Sequence, residues 1–454
     1  MNLNLLKKLY TSSPKFIKEI YSLIPYDMRN GNEYRNWVTF LNNTKINEKE
    51  YQLRKLKETL LYAYNNVPFY RELYDEEKIN IEKINSFDDF EKIPIIDTQM
   101  IKTHYDKFLS GKDIKKFHVA TGGTSGTPMT FWQSTNVWKK ELAFVNNYFG
   151  KFGYMTKDLK ATFRSGSNNY NNLEKDIYWQ ANPINNEVLF SPFHINVNTI
   201  ERYIDKLNEL NPNFFHGYPS ALCSLVNCAN EKKIKLNFEV KAVFIVSENY
   251  FDEQIKLLKN FFGCKIFTFY GMSERVIFAP AIDDNLLIYR PNQFYGYTEL
   301  INEDLLVIKE NNKNGELIGT GFDNYAMPLI RYRLGDITSY SNYENTTFNK
   351  IEGRWKQEFL LGKYNIDISL TALNIHSPEF DNVINSQFYQ KEKGKVILRI
   401  MVNSKFTNKD AKAIEAALTK KAGHALDFDI EIVDNLILTH RGKIKNIVKD
   451  YHNT

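Results

Sequence analysis

No stretch of this 454-residue sequence reaches the roughly 18 consecutive apolar residues that a membrane span needs. Met1 to Ile20 alternates leucine with lysine and serine and has no apolar signal-peptide core. A cytoplasmic protein with no transmembrane segment is the expectation. Cysteine is scarce: Cys223, Cys228 and Cys264 cannot all pair, and no second Cys/His cluster stands at zinc spacing, so buried free thiols are expected. An excess of charge is missing too. There are 59 basic against 54 acidic residues, a net of +5 with the signs interspersed, which argues against a nucleic-acid partner. Two familiar phosphate fingerprints are absent as well. Gly126 is followed by Thr127 and Pro128 where a Walker-A loop needs Lys and then Ser or Thr. The dinucleotide spacing fails because Gly122 and Gly123 are adjacent, and because Asn324 stands where a third glycine would follow Gly319 and Gly321.

What is present centres on Val119 to Pro128, VATGGTSGTP. Three glycines let backbone N–H groups approach an anion, and the Thr and Ser hydroxyls add donors, so the loop suits polyphosphate; such clusters also make ordinary turns. With 43% apolar residues the chain can fill real cores, and its length allows about three domain-sized units. Aromatic residues make up 14%, enough to stack on a flat ligand as well as to pack a core.

Along the chain, Leu53, Leu56, Leu60 and Tyr64 share one helical face, and the helix is expected to end before Asn65, ahead of Pro68. Leu3 to Leu6 with Lys7 and Lys8 can either rest on a membrane surface or pack on the protein's own domain, and packing is the expectation. Ile200, Ile204, Leu207 and Leu210 mark a helix stopped at Pro212. Phe214 to Leu222 reads as a strand, a Gly217/Pro219 turn and a helix start. Val240 to Val246, then Ile255, Leu258 and Phe262, then Lys265 to Tyr270 read as strand, helix, strand. From Leu286 to Thr338 short strands alternate with Gly and Asn turns, which predicts a small β subdomain. The last portion predicts a strand at Val396 to Val402, a helix opened by Thr407 or Asn408 and carrying Ile414 and Leu418, and a strand at Phe428 to Val433.

Four further motifs stand out. Tyr270-Gly271-Met272-Ser273-Glu274 follows a strand, where parallel α/β sheets bind ligands, and it offers a glycine, a hydroxyl and a carboxylate for a nucleotide and Mg²⁺; a solvated loop tip is the plain alternative. Arg331-Tyr332-Arg333-Leu334-Gly335-Asp336 puts an Asp where it can accept both hydroxyls of a ribose, beside arginines that can meet phosphate or carboxylate. Gly353-Arg354-Trp355-Lys356 marks a boundary. The late Arg441-Gly442-Lys443 gains interest from what precedes it.

In this order the motifs resemble the adenylate-forming (ANL) superfamily, and most closely its phenylacetate–CoA ligase-like branch with the CapK-type proteins of capsular polysaccharide biosynthesis; FHGYPSAL, MPLIRYRLGD and ISLTALNIH carry the likeness. The resemblance implies an α/β fold: a large N-terminal domain with mixed and parallel sheets, helices and a small β subdomain, followed by a small mobile α+β C-terminal domain. Its divisions would be 1–353 (1–115 mainly helical, 116–285 nucleotide-binding core, 286–353 β subdomain), a hinge at 354–356, and 357–454. It also implies ATP-dependent formation of acyl-AMP and pyrophosphate, then transfer of the acyl group to a thiol or an amine in surface polysaccharide modification. The acceptor would be CoA, a carrier protein or an amino sugar.

By position, the resemblance gives the β- and γ-phosphates to Thr121, Gly122, Gly123, Thr124, Ser125, Gly126 and Thr127. Tyr270 would stack on adenine, with Gly271 and Ser273 also at the ATP; Glu274 would hold Mg²⁺, and Asp336 would grip the ribose with Arg354 nearby. Lys443 would bridge the attacking carboxylate and the α-phosphate, and Lys356 would be the hinge. Tyr218, Pro219, Ser220, Ser247 and Glu248 stand where the family builds its acyl pocket; turn and strand-end roles remain open for them, as structural roles do for His194 and His216. Thr127 replaces a lysine common in relatives, and Lys356-Gln357-Glu358 and Gly362-Lys363-Tyr364 replace the segments that contact pantetheine, which leaves CoA open as acceptor. A non-catalytic nucleotide- or glycan-binding scaffold and an acyltransferase using a preformed activated donor are the competing expectations.

Overall fold

The computed structural model describes residues 15–120, 129–164, 176–282, 284–351, 359–363, 366–373, 378–437 and 445–450. The chain divides into two compact units. One comprises Met1–Thr121, Met129–Thr156 and Phe267–Arg354; the other comprises Gly122–Pro128, Lys157–Ile266 and Trp355–Thr454.

The first unit opens with helices α1 (Lys15–Ser22), α2 (Tyr26–Asn43), α3 (Glu48–Asn66) and α4 (Pro68–Glu76). Helix α3 starts where the Asn47 side chain accepts from the N–H groups of Lys49 and Glu50 at 3.0 and 3.2 Å, satisfying donors that a helix end leaves open. It runs through Asn66 rather than stopping before Asn65. Pro68 does not forbid a helix here; it occupies the first turn of the next one, where a missing N–H costs nothing. The buried face of α3 is Gln52, Leu56, Thr59, Leu60 and Ala63, so Leu53 and Tyr64 lie at its edges. Strands β1 (Lys116–Ala120) and β2 (Thr130–Ser134) pair antiparallel with Ala120 opposite Thr130. Helix α5 (Thr135–Gly150) follows and buries Phe144 against Trp37 and Tyr295, with ring centroids 5.5 and 5.1 Å away.

The second unit begins with β3 (Lys160–Phe163), β4 (Trp179–Asn182) and β5 (Glu187–Phe190). Then come helix α6 (Ile200–Leu210), β6 (Phe214–Gly217), helix α7 (Pro219–Glu231), β7 (Ala242–Ile245) and helix α8 (Asp252–Phe262). Strands β7, β6, β3 and β5 lie side by side and parallel, with β4 antiparallel at the edge. Their near-continuous apolar character reflects burial on both faces, as parallel strands joined by helices require. The helix expected from Ile200, Ile204, Leu207 and Leu210 is present with the first three buried and Leu210 half-buried, and it ends as Asn211 turns left-handed before Pro212.

The chain returns to the first unit through β8 (Lys265–Gly271), β9 (Phe278–Ile282), β10 (Asn285–Tyr289), β11 (Gly296–Ile301), β12 (Asn314–Gly321), β13 (Tyr332–Asn342) and β14 (Thr347–Asn349). These pair antiparallel in the order β11-β12-β13-β14-β10-β9-β8 and supply the expected run of short strands.

The C-terminal part of the second unit has a short pair, β15 (Phe359–Leu361) with β16 (Asp367–Ser369). It also has a four-stranded sheet in the order β19-β18-β17-β20, built from β17 (Val383–Glu392), β18 (Lys395–Val402), β19 (Asp427–Ile432) and β20 (Ile447–Lys449). Helix α9 (Asn408–Ala422) makes the crossover between the parallel strands β18 and β19 and buries Ile414 and Leu418. Asp410 accepts from the Thr407 backbone N–H at 2.7 Å and from its hydroxyl at 2.8 Å, which sets the start of α9 where the sequence placed it.

Candidate active site

Tyr270 and Gly271 end β8, and the chain turns through Met272, Ser273 and Glu274 before pairing back as β9, with Tyr270 opposite Ala279. Asp336 comes from β13. Two extra residues of β13 oppose β12 between the pairs Glu316–Ile337 and Ile318–Arg333. Gly335, at φ 79°, takes the left-handed conformation within that bulge, which a residue with a Cβ adopts only under strain. The bulge aims Asp336 at the β8 end, where the Tyr270 hydroxyl donates to its Oδ2 at 2.5 Å. Two residues 66 positions apart, both expected at a nucleotide, thus meet directly.

Glu274 sits 3.4 Å from the Tyr332 hydroxyl. That hydroxyl also lies 2.8 Å from Thr98 Oγ1 and 3.9 Å from Met129 Sδ, so the residue that follows the glycine-rich segment converges on the same tyrosine. Ser273 is held through its backbone: the fully buried Gln133 donates to its carbonyl at 2.7 Å from β2. Tyr332 and Gln133 were not singled out in the sequence. Tyr332 stands inside the motif read for its arginines, whereas Gln133 carried no signal.

The arginines of that motif meet carboxylates, those of the protein itself. Arg331 is 2% exposed and forms a two-pronged pair with Glu299 at 2.9 and 3.1 Å; it donates further to the carbonyls of Glu91 and Ile93. Burial raises the Glu299 carboxyl, and the guanidinium opposes that rise. Arg333 pairs with Glu316 on the neighbouring strand at 2.5 Å. Both charges are neutralised by the sheet, so neither is set to meet a phosphate.

In the second unit, Tyr218 precedes α7 and Pro219 opens it. The Ser220 backbone N–H and hydroxyl both donate to Glu248, each at 3.1 Å, so Glu248 occupies the N-terminus of α7. Ser247, at φ 67°, makes the sharp turn after β7 that brings Glu248 there. Cys223, one turn along α7, is pushed up to about 12 by burial and by the carboxylates of Glu248 and Asp367. Burial likewise raises Cys228 and Cys264, to about 11 and about 12, and all three are free thiols held in the inert protonated form.

His194 and His216 have structural surroundings. Ser191 Oγ lies 2.5 Å from His194 Nδ1, and the Tyr178 ring stacks on the imidazole at 5.5 Å. Burial, with His424 nearby, lowers His194 to about 4. Gly423 approaches the ring so closely that a Cβ there would overlap it. His216 is buried in β6 and depressed well below the ordinary range by burial, Arg164 and Lys160.

Thr121 to Thr127, Arg354, Lys356 and Lys443 lie outside the described residues. Among the described residues no three His, Cys, Asp or Glu side chains cluster as a metal cage would require. A Mg²⁺ that takes one or two carboxylates and completes its shell with substrate phosphates and water needs no such cage, so Glu274 is a suitable donor.

Known proteins resemble this chain over its C-terminal domain and along most of its length. Residues 361–450 match the family described as the CapK C-terminal domain. Protein CapK of Staphylococcus aureus is 25% identical over 410 residues, 87% of this chain and 87% of its own. The phenylacetate-coenzyme A ligase of Thermus thermophilus is 22% identical over 356 residues, 73% of this chain and 74% of its own. Among solved structures, 2-hydroxyisobutyryl-CoA ligase in complex with 2-HIB-AMP and CoA superposes with a TM-score of 0.56 at 16% identity, over 88% of this chain and 89% of that one. That likeness is one of fold. The chain thus carries a match to the CapK C-terminal domain over residues 361–450, is similar along most of its length to Protein CapK and to phenylacetate-coenzyme A ligases, and shares the fold of the CoA ligase structures.

Proposed function

We propose that this protein is an ATP-dependent adenylating ligase. A carboxylate oxygen attacks the α-phosphorus of ATP, forming acyl-AMP and releasing pyrophosphate. A thiol or amine then attacks the acyl carbon and AMP leaves. The observation that carries this reading is the direct pairing of Tyr270 with Asp336, with Glu274 on the same β8–β9 connection. An aromatic ring, a carboxylate for ribose hydroxyls and a carboxylate for a divalent cation are the groups a Mg-nucleotide requires, and here they come from two strands of one sheet.

In this reading Thr121 to Thr127 cradle the β- and γ-phosphates, and Tyr270, Gly271 and Ser273 face the base. Asp336 and Arg354 hold the ribose. Glu274 would hold Mg²⁺, which neutralises phosphate charge when bound. Lys443 bridges the attacking carboxylate and the α-phosphate, a preorganised charge worth about 10²–10³ in rate. Tyr218, Pro219, Ser220, Ser247 and Glu248 border the acyl group. The domain from 357 onward pivots at 354–356, about Lys356, to exchange Lys443 for the second nucleophile. The ligase relatives support CoA as acceptor, and the CapK likeness supports a place in surface polysaccharide modification, where an amino sugar would supply an amine.

The test is carboxylate-dependent exchange of pyrophosphate into ATP across a panel of aromatic, aliphatic, hydroxy and amino acids. Exchange is expected with one class and is expected to fall about 10²-fold or more in Lys443→Ala. Silence across the panel while ATP still binds would overturn the reading and leave a nucleotide-binding scaffold.

A further inference from the structure

Gln133 is a polar side chain in a place that an apolar one would fill with less conflict. It lies on β2 with no exposed surface, its Nε2 donates to the Ser273 carbonyl at 2.7 Å, and its Oε1 is buried with no partner among the described residues. A buried amide oxygen without a donor opposes folding, and a methionine or leucine would occupy the same space without one. The reason for an amide here therefore lies in what its donor holds.

What it holds is the middle of a turn. The Arg275 N–H bonds to the Met272 carbonyl at 3.1 Å, which makes Ser273 and Glu274 the two central residues. The Ser273 carbonyl belongs to the peptide that joins them. That peptide is planar, so its carbonyl and the Glu274 N–H turn as one body, and rotation of this central peptide is what separates the common turn types. A bond to the Ser273 carbonyl thus sets the direction in which the chain enters Glu274. The end of the turn is held separately. Arg275 adopts a left-handed backbone at φ 55°, and its guanidinium lies over the Trp138 ring of α5, 4.4 Å from the centroid.

Gln133 is itself held on both sides. The Asn324 side chain donates to the Trp132 carbonyl at 3.0 Å and accepts from the Ser134 N–H at 3.0 Å, so one buried amide fixes the residues before and after Gln133. Asn324 also donates to the Met327 carbonyl at 2.8 Å. Two successive buried amides therefore support the turn that carries Glu274, whose carboxylate faces the Tyr332 hydroxyl at 3.4 Å. Support of this kind matters for a carboxylate that meets a cation, because groups that orient a metal ligand are worth about 10- to 100-fold in metal affinity. We propose that Gln133 is a positioning residue for Mg-nucleotide binding: by fixing the central peptide of the Met272–Arg275 turn, it sets the direction from which Glu274 meets the cation. The proposal rests on the adenylation reading, which gives Glu274 its Mg²⁺.

ATP is to be titrated calorimetrically into the full chain at a series of Mg²⁺ concentrations, with no carboxylate present. In Gln133→Met, which keeps the length of the side chain and removes the donor, the Mg²⁺ needed for a half-maximal gain in ATP affinity is expected to rise about tenfold. ATP affinity without Mg²⁺ is expected to match that of the native chain, and the melting temperature to stay within a few degrees. Gln133→Leu, which removes the donor in a different shape, is expected to do the same. In a Glu274→Gln background Gln133→Met is expected to have no further effect, because the two residues act on one cation. A native Mg²⁺ requirement in both variants, a loss of ATP affinity that is equal with and without Mg²⁺, or an undiminished effect of Gln133→Met in the Glu274→Gln background would overturn the inference. A native chain that binds no ATP at any Mg²⁺ concentration overturns the adenylation reading and this inference with it. Native Mg²⁺-dependent binding that ignores both substitutions at Gln133 overturns this inference alone.

Discussion

Asp336, at the bulge within β13, and Glu248, just after β7, are both carboxylates expected at a ligand, and the fold treats them in opposite ways. Asp336 is met by Tyr270, itself a candidate ligand-binding side chain, and the bond joins two strands that are already paired through their own sheet. Glu248 is met by the backbone N–H and the hydroxyl of Ser220, so it satisfies the start of α7. A ligand hydroxyl can replace a phenol at Asp336 without disturbing either strand. Nothing can replace Ser220 at Glu248 without uncapping a helix. At Asp336 the phenol is a partner that a ligand hydroxyl can displace, whereas Glu248 is committed to the start of α7 unless a substrate contributes equivalent donors.

The largest expected separation between the two comes from Asp336→Ala. Loss of charge-assisted bonds to a ribose is expected to weaken nucleotide binding by about 10²-fold, read by calorimetric titration with ATP. Because Asp336 is half-buried and β13 is held by both neighbouring strands, the melting temperature is expected to stay within a few degrees. Unchanged ATP affinity would remove Asp336 from the site and dissolve the contrast.

The second region can be probed through pH. His194 stands at about 4 in the fold against about 6.5 in an unfolded chain, because burial disfavours its charged form and His424 lies nearby. Between those values the unfolded chain binds more protons, so stability rises with pH through this window, is fully present above 6.5, and is lost as pH falls toward 4. At pH 5 the loss attributable to this one imidazole is about 2 kcal/mol. His194→Gln is expected to flatten that part of the curve in urea unfolding at pH 5 and pH 7.5. Parallel curves for the native chain and the variant would show that the Ser191–His194 pair is not held in its neutral state by the fold.

Local pattern made much of this legible. Apolar spacing and proline positions located α6, α8 and α9, because helix faces and caps depend on residues three or four apart. Helix α3 was located, but its buried face is turned by about one residue from the leucine and tyrosine stripe, since Gln52 and Thr59 are buried by what packs on them rather than by their own character. The glycine, tyrosine, glutamate and aspartate of the candidate site were legible as motifs. The destination of Arg331 was not: its partners Glu91, Ile93 and Glu299 are 32 to 240 positions away, and only the folded sheet reveals that its charge is already taken. Tyr332 was hidden for a related reason. Its neighbours Thr98, Met129 and Glu274 come from three distant segments, and a tyrosine in a strand reads as core wherever it stands.

The smallest expected effect bears most directly on the contrast between the two carboxylates. Glu248→Ala removes the acceptor for two Ser220 donors at the first turn of α7, and loss of such a cap costs about 1 kcal/mol. A helix whose other buried residues include Leu222, Leu225 and Val226 tolerates that loss without unfolding. The expected result is a modest fall in the urea midpoint, with ATP affinity retained because Asp336 and Tyr270 are untouched. Glu248→Gln keeps an acceptor oxygen and is expected to recover most of the stability. If instead both variants keep native stability while the carboxylate concentration needed for half-maximal pyrophosphate exchange rises, Glu248 faces the acyl group and its bonds to Ser220 are exchangeable. The two carboxylates would then differ in which end of the substrate they meet, and no longer in whether they meet one.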